Sequence, residues 1–200
     1  MKGLSSRTQT SQASAVAERA SPSSEMTFDL SQSFFALFGL DERFDVDEKA
    51  LEEAYVLLQK QFHPDRYASL PDHERRAATQ WSMRINEGYQ TLKDQLSRAI
   101  YLLSIRGVEL EENPSLPSDF LMTQMMLREA LEEIEQSKAL TELDRFKGRL
   151  KQSAAEQCDS LSLHFDKDSA VGVKSAIYSL QFLKKLERDM LRLEDRLLDD

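Results

Sequence analysis

Apolar residues return every three or four positions in one stretch of this chain after another, which commits most of it to amphipathic helix. Leu51, Tyr55, Leu58 and Phe62 form one stripe, and Ala78, Trp81, Ile85, Tyr89 and Leu92 form a second. Only 6 Gly and 5 Pro occur in 200 residues, so little interrupts these periods. The few breakers fall where helices must stop. Gly39 ends a short helix holding Phe34, Phe35 and Phe38. Asp45 and Glu48 read as a capping pair that opens the next helix. That helix must end at Phe62–His63, because Pro64 disfavours helical geometry in the residue before it. A third helix is expected to start near Pro71, and a fourth to span about 94–106 with Leu96, Ile100 and Leu103 inward.

Residues 107–117 hold a Gly, two Pro and no period, and are expected to be a linker. Three longer helical patterns follow, over about 119–139, 142–165 and 168–198. Ser118–Asp119, Thr141 and Asp168 mark their starts. With connections this short the three should pack as an antiparallel bundle. The fold class read from the sequence is therefore all-α, with four helices at 26–106 and a three-helix domain at 118–200.

The first bundle helix has two distinct faces. At 100° per residue Leu127, Leu131 and Ile134 fall within about 40° of Phe120, which makes a core stripe. Met122, Met125, Met126, Glu129 and Glu133 fall between about 140° and 240°, on the opposite side. A bundle helix buries one broad stripe, so this second face should be exposed and fit for an adaptable partner. The alternative is that the methionines fill the edge of the core or a junction between domains. On the third bundle helix Val173, Ile177, Leu180, Leu183, Leu186, Met190, Leu193 and Leu197 make the core stripe. Phe182 lies about 100° from Leu183, off that stripe, where an antiparallel neighbour can bring it to the methionine face.

Charge and cysteine content exclude several classes. The net charge is −9, and residues 107–200 carry thirteen basic against twenty acidic side chains. Such a chain gains little from the counterion release that drives nucleic-acid binding, so no nucleic-acid partner is expected. One Cys excludes a disulfide framework and any Cys-rich metal site within the chain. Cys158 and Trp81 read as core by spacing, and His164 as a complement to a helix dipole. No run approaches ~18 apolar residues, so no membrane span is expected. Residues 1–25 are rich in Ser, Ala, Thr and Gln without an aromatic residue, and read as a disordered extension lacking a secretory signal. Met26 is an equally acceptable functional start.

The most informative local feature is Gln61-Phe62-His63-Pro64-Asp65-Arg66, set between two amphipathic helices. Taken alone, it is either a solvated turn or a His–Asp pair for acid–base work, and a metal-dependent hydrolase using His63 and Asp65 stays open. Neither a nucleophile nor a phosphate-cradling loop lies nearby in sequence, and His63 and His73 lack the spacing of a helical zinc pair.

In context, the segment resembles a J-domain, the module that stimulates ATP hydrolysis by DnaK-type chaperones. The likeness extends to Tyr55, Phe62, Ile85, Asn86, Tyr89, Leu92 and the block Arg98-Ala99-Ile100-Tyr101-Leu102-Leu103. It implies that His63, Pro64 and Asp65 dock on the chaperone, with Lys60 and Arg66 beside them. Helix two is acidic at Glu52 and Glu53, a departure that favours a dedicated chaperone over a generic one. The blocks Phe120–Glu129, Leu131–Glu135 and Leu180–Leu186 are similar to the HscB family. Members of that family are non-enzymatic co-chaperones that partner the chaperone HscA and bring it the iron–sulfur scaffold IscU.

The resemblance covers about residues 28–200 and implies a scaffold-binding face at Leu121, Met122, Met125, Met126, Glu129, Glu133 and Phe182. Met126 stands where an acid is common in the family, and Gly88 and Gln95 where Ala and Pro are usual. No cofactor is implied. The Cys-pair metal site that some eukaryotic relatives carry before the J-domain has no counterpart here, which points to a bacterial, cytoplasmic protein. The rival within the same class is a J-protein serving a different client.

Overall fold

The computed structural model describes residues 31–199 apart from Ala68 and Asn113, so the expected disordered extension lies outside the described residues. Seven α-helices and a single 3₁₀ turn make up the regular structure among them. They form two compact units that divide between Ile105 and Arg106.

The first unit is built on an antiparallel helix pair, α2 (Glu48–Gln61) and α3 (Asp72–Lys93). The short α1 (Phe34–Phe38) and α4 (Gln95–Ile105) pack on α3. Ser33 opens α1 by accepting from the Ala36 N–H (3.2 Å), and Gly39 closes it at φ 67°. The expected stripes are buried at Leu51, Leu58 and Phe62 on α2, where Tyr55 is only half-buried, and at Ala78, Trp81, Ile85, Tyr89 and Leu92 on α3. The cap of α2 is Asp47 rather than Asp45. Its carboxylate accepts from the Lys49 and Ala50 N–H groups at 3.0 and 3.1 Å, a reach open only to the residue next to the helix start.

Burial on α4 falls on Ala99, Leu102 and Leu103, whereas Leu96 and Ile100 are only half-buried. Arg98 is buried beside them and donates from Nη1 to the Leu92 carbonyl (2.9 Å), tying the α3–α4 corner. Asp94 caps α4 there, accepting from both the N–H and the hydroxyl of Ser97 at 2.8 Å. Gln95 therefore starts the helix where the resemblance puts a proline. Gly88 lets α1 approach closely, since a Cβ there would lie 2.8 Å from Cδ1 of Phe34.

The second unit is the antiparallel bundle of α5 (Ser118–Ser137), α6 (Leu140–Asp166) and α7 (Ala170–Asp199). Its core joins Ile134, Leu143, Phe146, Leu150, Leu183, Leu186, Met190 and Leu193, with Phe120, Leu127 and Leu131 partly buried against it. The expected side-chain caps at Ser118–Asp119 and Thr141 do not form, and Pro117 and Ala139 stand at those two helix starts. The α6–α7 turn passes through Asp168 at φ 51°, and the Gly172 N–H donates to the Ser169 hydroxyl (3.3 Å). His164 lies in the last turn of α6 with its ring against Gly172, where a side chain would collide with it.

The segment expected to be a linker carries no helix, but its start is fastened to the bundle. Arg106 pairs with Asp168 (3.1 Å) and lies over the Phe165 ring. The Glu111 N–H donates to the Tyr178 hydroxyl (2.9 Å), and its carboxylate meets Lys174 (3.4 Å).

Candidate functional site

Two separate surfaces collect the candidate residues. The first is the turn after α2. Phe62, the C-cap of that helix, is buried and stacks on Trp81 with centroids 5.6 Å apart, so the chain leaves the core abruptly at His63. Residues Pro64–Tyr67 then form the 3₁₀ turn, closed by the Arg66 N–H to the His63 carbonyl (3.0 Å). The last carbonyls of α2 have no partners within the helix and take them from the turn. The Arg66 guanidinium donates to the Lys60 carbonyl (3.0 Å) and the Tyr67 hydroxyl to the Gln61 carbonyl (3.2 Å).

These contacts fix the turn and leave its tip in water. The Asp65 N–H donates to Nδ1 of His63 (3.3 Å), and the Asp65 carboxylate stands 3.6 Å from the same nitrogen. The His63 side chain is half exposed and that of Asp65 almost fully exposed. His63, Asp65 and Arg66 thus lie together on the turn that follows Lys60. Arg66 also braces the helix end, a role its position alone does not reveal.

The acidic residues of α2 are largely answered from within the unit. Glu53 faces Lys49 (3.8 Å), and Glu52 accepts a hydrogen bond from the Tyr89 hydroxyl. That hydroxyl also receives Lys93 (3.0 Å), whose pKa it raises above 10.5, first through this hydrogen bond. Tyr55 stacks on Tyr89 at 3.9 Å and shares the Asn86 side-chain oxygen with Gln59. Tyr55, Asn86 and Tyr89 therefore lock α2 to α3 and hold the turn that follows. The block from Arg98 to Leu103 is likewise structural, with the Tyr101 hydroxyl accepting from the Phe34 N–H (2.9 Å).

The second surface is the outer side of α5. Leu121, Met122, Met125 and Met126 are all exposed, and Glu129 and Glu133 continue the same face. The inner side rests on the bundle, and Glu135, at its margin, pairs with Arg196 (2.8 Å). Phe182 departs from its expected place. It is not on the methionine face but buried in the core, meeting Phe120 edge to face at 6.3 Å under the Arg128 guanidinium. Because α7 packs against both α5 and α6, it buries a wider sector than one stripe, and that sector takes in both Phe182 and Leu183. Phe182 thus supports α5 from beneath.

Among the described residues no group of three or more His, Cys, Asp and Glu side chains is placed to hold a metal ion. None of the described helices is long and apolar enough to cross a membrane.

Known proteins resemble this chain over most of its length. Residues 116–190 match the family model described as the HSCB C-terminal oligomerisation domain. The co-chaperone protein HscB homolog of Cupriavidus taiwanensis is 42% identical over 172 residues, 85% of this chain and 98% of that protein. Its counterpart in Aromatoleum aromaticum is 44% identical over 168 residues, covering 82% of this chain and 95% of the relative. Among solved structures, chaperone HscB from Vibrio cholerae superposes with a TM-score of 0.76 at 35% identity, over 83% of this chain and 99% of that one. The human co-chaperone protein HscB gives 0.79 at 26% identity, over 83% and 84%.

Proposed function

The chain belongs to the HscB family of co-chaperones, and from that premise we propose that it couples an HscA-type ATPase chaperone to an IscU-type scaffold. Its class is that of a non-enzymatic co-chaperone in iron–sulfur cluster assembly. The finer reading assigns the two partners to the two surfaces. His63, Pro64 and Asp65 dock on the chaperone and trigger ATP hydrolysis, with Lys60 and Arg66 supplying positive charge beside them. Leu121, Met122, Met125 and Met126 bury themselves against the scaffold, while Glu129 and Glu133 meet its basic groups. Phe182 serves the same face indirectly, by holding Phe120 and so α5 in place.

The observation that carries the scaffold assignment is the exposure of a leucine and three methionines on one helix whose opposite side already contacts the core. An apolar face of this kind is costly in water and gains by being covered. A cytoplasmic location in a bacterium agrees with the bacterial relatives.

The test uses the full chain with purified chaperone and scaffold. His63→Gln is expected to abolish stimulation of the chaperone ATPase while leaving calorimetric scaffold affinity and the urea midpoint unchanged. The His63 side chain is half exposed on the turn, so its replacement should alter stability by less than about 0.5 kcal/mol. Full stimulation by this variant would remove the docking role of the turn.

A further inference from the structure

The methionines among the described residues divide sharply by exposure. Met122, Met125 and Met126 are 65%, 61% and 63% exposed on one helix face, whereas Met190 is 1% exposed in the core of the same bundle. Met83, in the other unit, is 67% exposed. We infer that Met122, Met125 and Met126 form an oxidation site at which a peroxide switches off scaffold binding. The inference rests on the scaffold reading above and extends it to regulation.

The chemistry needs only an open thioether. A peroxide transfers one oxygen to the sulfur: the O–O bond breaks, an S–O bond forms, the sulfur is oxidised by two electrons and hydrogen peroxide leaves as water. The product is a polar sulfoxide in place of an adaptable apolar side chain. Burying that oxygen in an interface is unfavourable unless a donor meets it.

On the methionine face the neighbouring polar groups of α5 are carboxylates. Glu129 and Glu133 are exposed carboxylates, which accept hydrogen bonds and repel a second negative oxygen. The Thr123 hydroxyl is spent on the Asp119 carbonyl (2.9 Å), and Arg128 lies over the Phe182 ring. Three sulfurs at positions i, i+3 and i+4 sit side by side, so successive oxidations act on one contact patch. Methionine sulfoxide reductase reverses the change: a dithiol becomes a disulfide, the S–O bond breaks and water leaves.

The experiment exposes the full chain to dilute hydrogen peroxide and follows each methionine by peptide mass spectrometry. Met83, Met122, Met125 and Met126 should become sulfoxides, while Met190 reacts only in urea. The oxidised chain should then bind an IscU-type scaffold on the order of tenfold or more weakly by calorimetry. Its stimulation of the chaperone ATPase should be unchanged, since Met83 lies away from the turn residues in sequence and Met190 stays reduced. Treatment with the reductase should restore binding. In a variant with Met122→Leu, Met125→Leu and Met126→Leu together, whatever scaffold affinity the untreated variant has should not change on peroxide treatment. Oxidation of Met190 in the folded chain as fast as the other three would overturn the site, and so would undiminished scaffold binding after oxidation. If untreated chain does not bind the scaffold at all, the scaffold reading fails, and the switch falls with it even where the mass spectra are as expected.

Discussion

The two units expose their candidate residues by opposite means. In the first, a proline turn is pinned by side-chain hydrogen bonds to the end of α2, so His63 and Asp65 stand out because the backbone throws them out. In the second, nothing local holds Met122 or Met125 out. They are exposed because α5 touches the bundle along one side only. A surface made by a turn tolerates side-chain change without loss of fold. One made by helix packing depends on the residues beneath it, and Phe182 is the clearest of these.

This contrast is tested first where it is strongest. Phe182→Ala removes a buried ring and should lower stability by about 3 kcal/mol in urea unfolding. Scaffold affinity per folded molecule should fall with it, because Phe120 loses its partner. Unchanged stability would mean that the ring is not the support for α5.

Next, Met122→Ala with Met125→Ala should weaken scaffold binding by about tenfold to a hundredfold, with stability altered by less than about 0.5 kcal/mol per residue. A collapsed urea midpoint with normal affinity would make these residues core and erase the distinction between the two sides of α5. The smallest effect concerns the first unit. Gly88→Ala gains about 1 kcal/mol of helix propensity but forces Phe34 aside, an overpacking worth about 1–3 kcal/mol. A net loss of about 1 kcal/mol is expected by calorimetric melting, and a rise would show that α1 yields easily.

The stripes of α2, α3 and α7 were legible in the sequence because burial on a single side imposes a period of 3.6. The same holds for the outward methionines, placed by the same angle that turned Leu127 and Ile134 inward. What escaped was whatever depends on a second neighbour. Phe182 lies 100° from Leu183 and looks peripheral until α5 is seen to lie over it. Arg98 is a charge in the core, held by the corner carbonyl of Leu92 and lying over the Phe44 ring, neither of which a helical period reveals. Caps were misplaced because several acidic or hydroxyl residues crowd each helix start, and backbone geometry selects among them. Asp47 beats Asp45, while Ser118 and Thr141 lose to Pro117 and Ala139. Of the residues expected at the two surfaces, the turn and the outward side of α5 were accessible to pattern reading, and the buried support was not.

The fastening of residues 106–111 has a mechanical consequence. Arg106 and Glu111 clip the incoming chain to Asp168, Lys174 and Tyr178 before it reaches Ser118. The arrangement works like the clamp on a cable where it enters a housing. A pull along the chain from its N-terminal side therefore meets the α6–α7 turn and α7, the bundle's longest helix, before it meets the helix bearing the methionines.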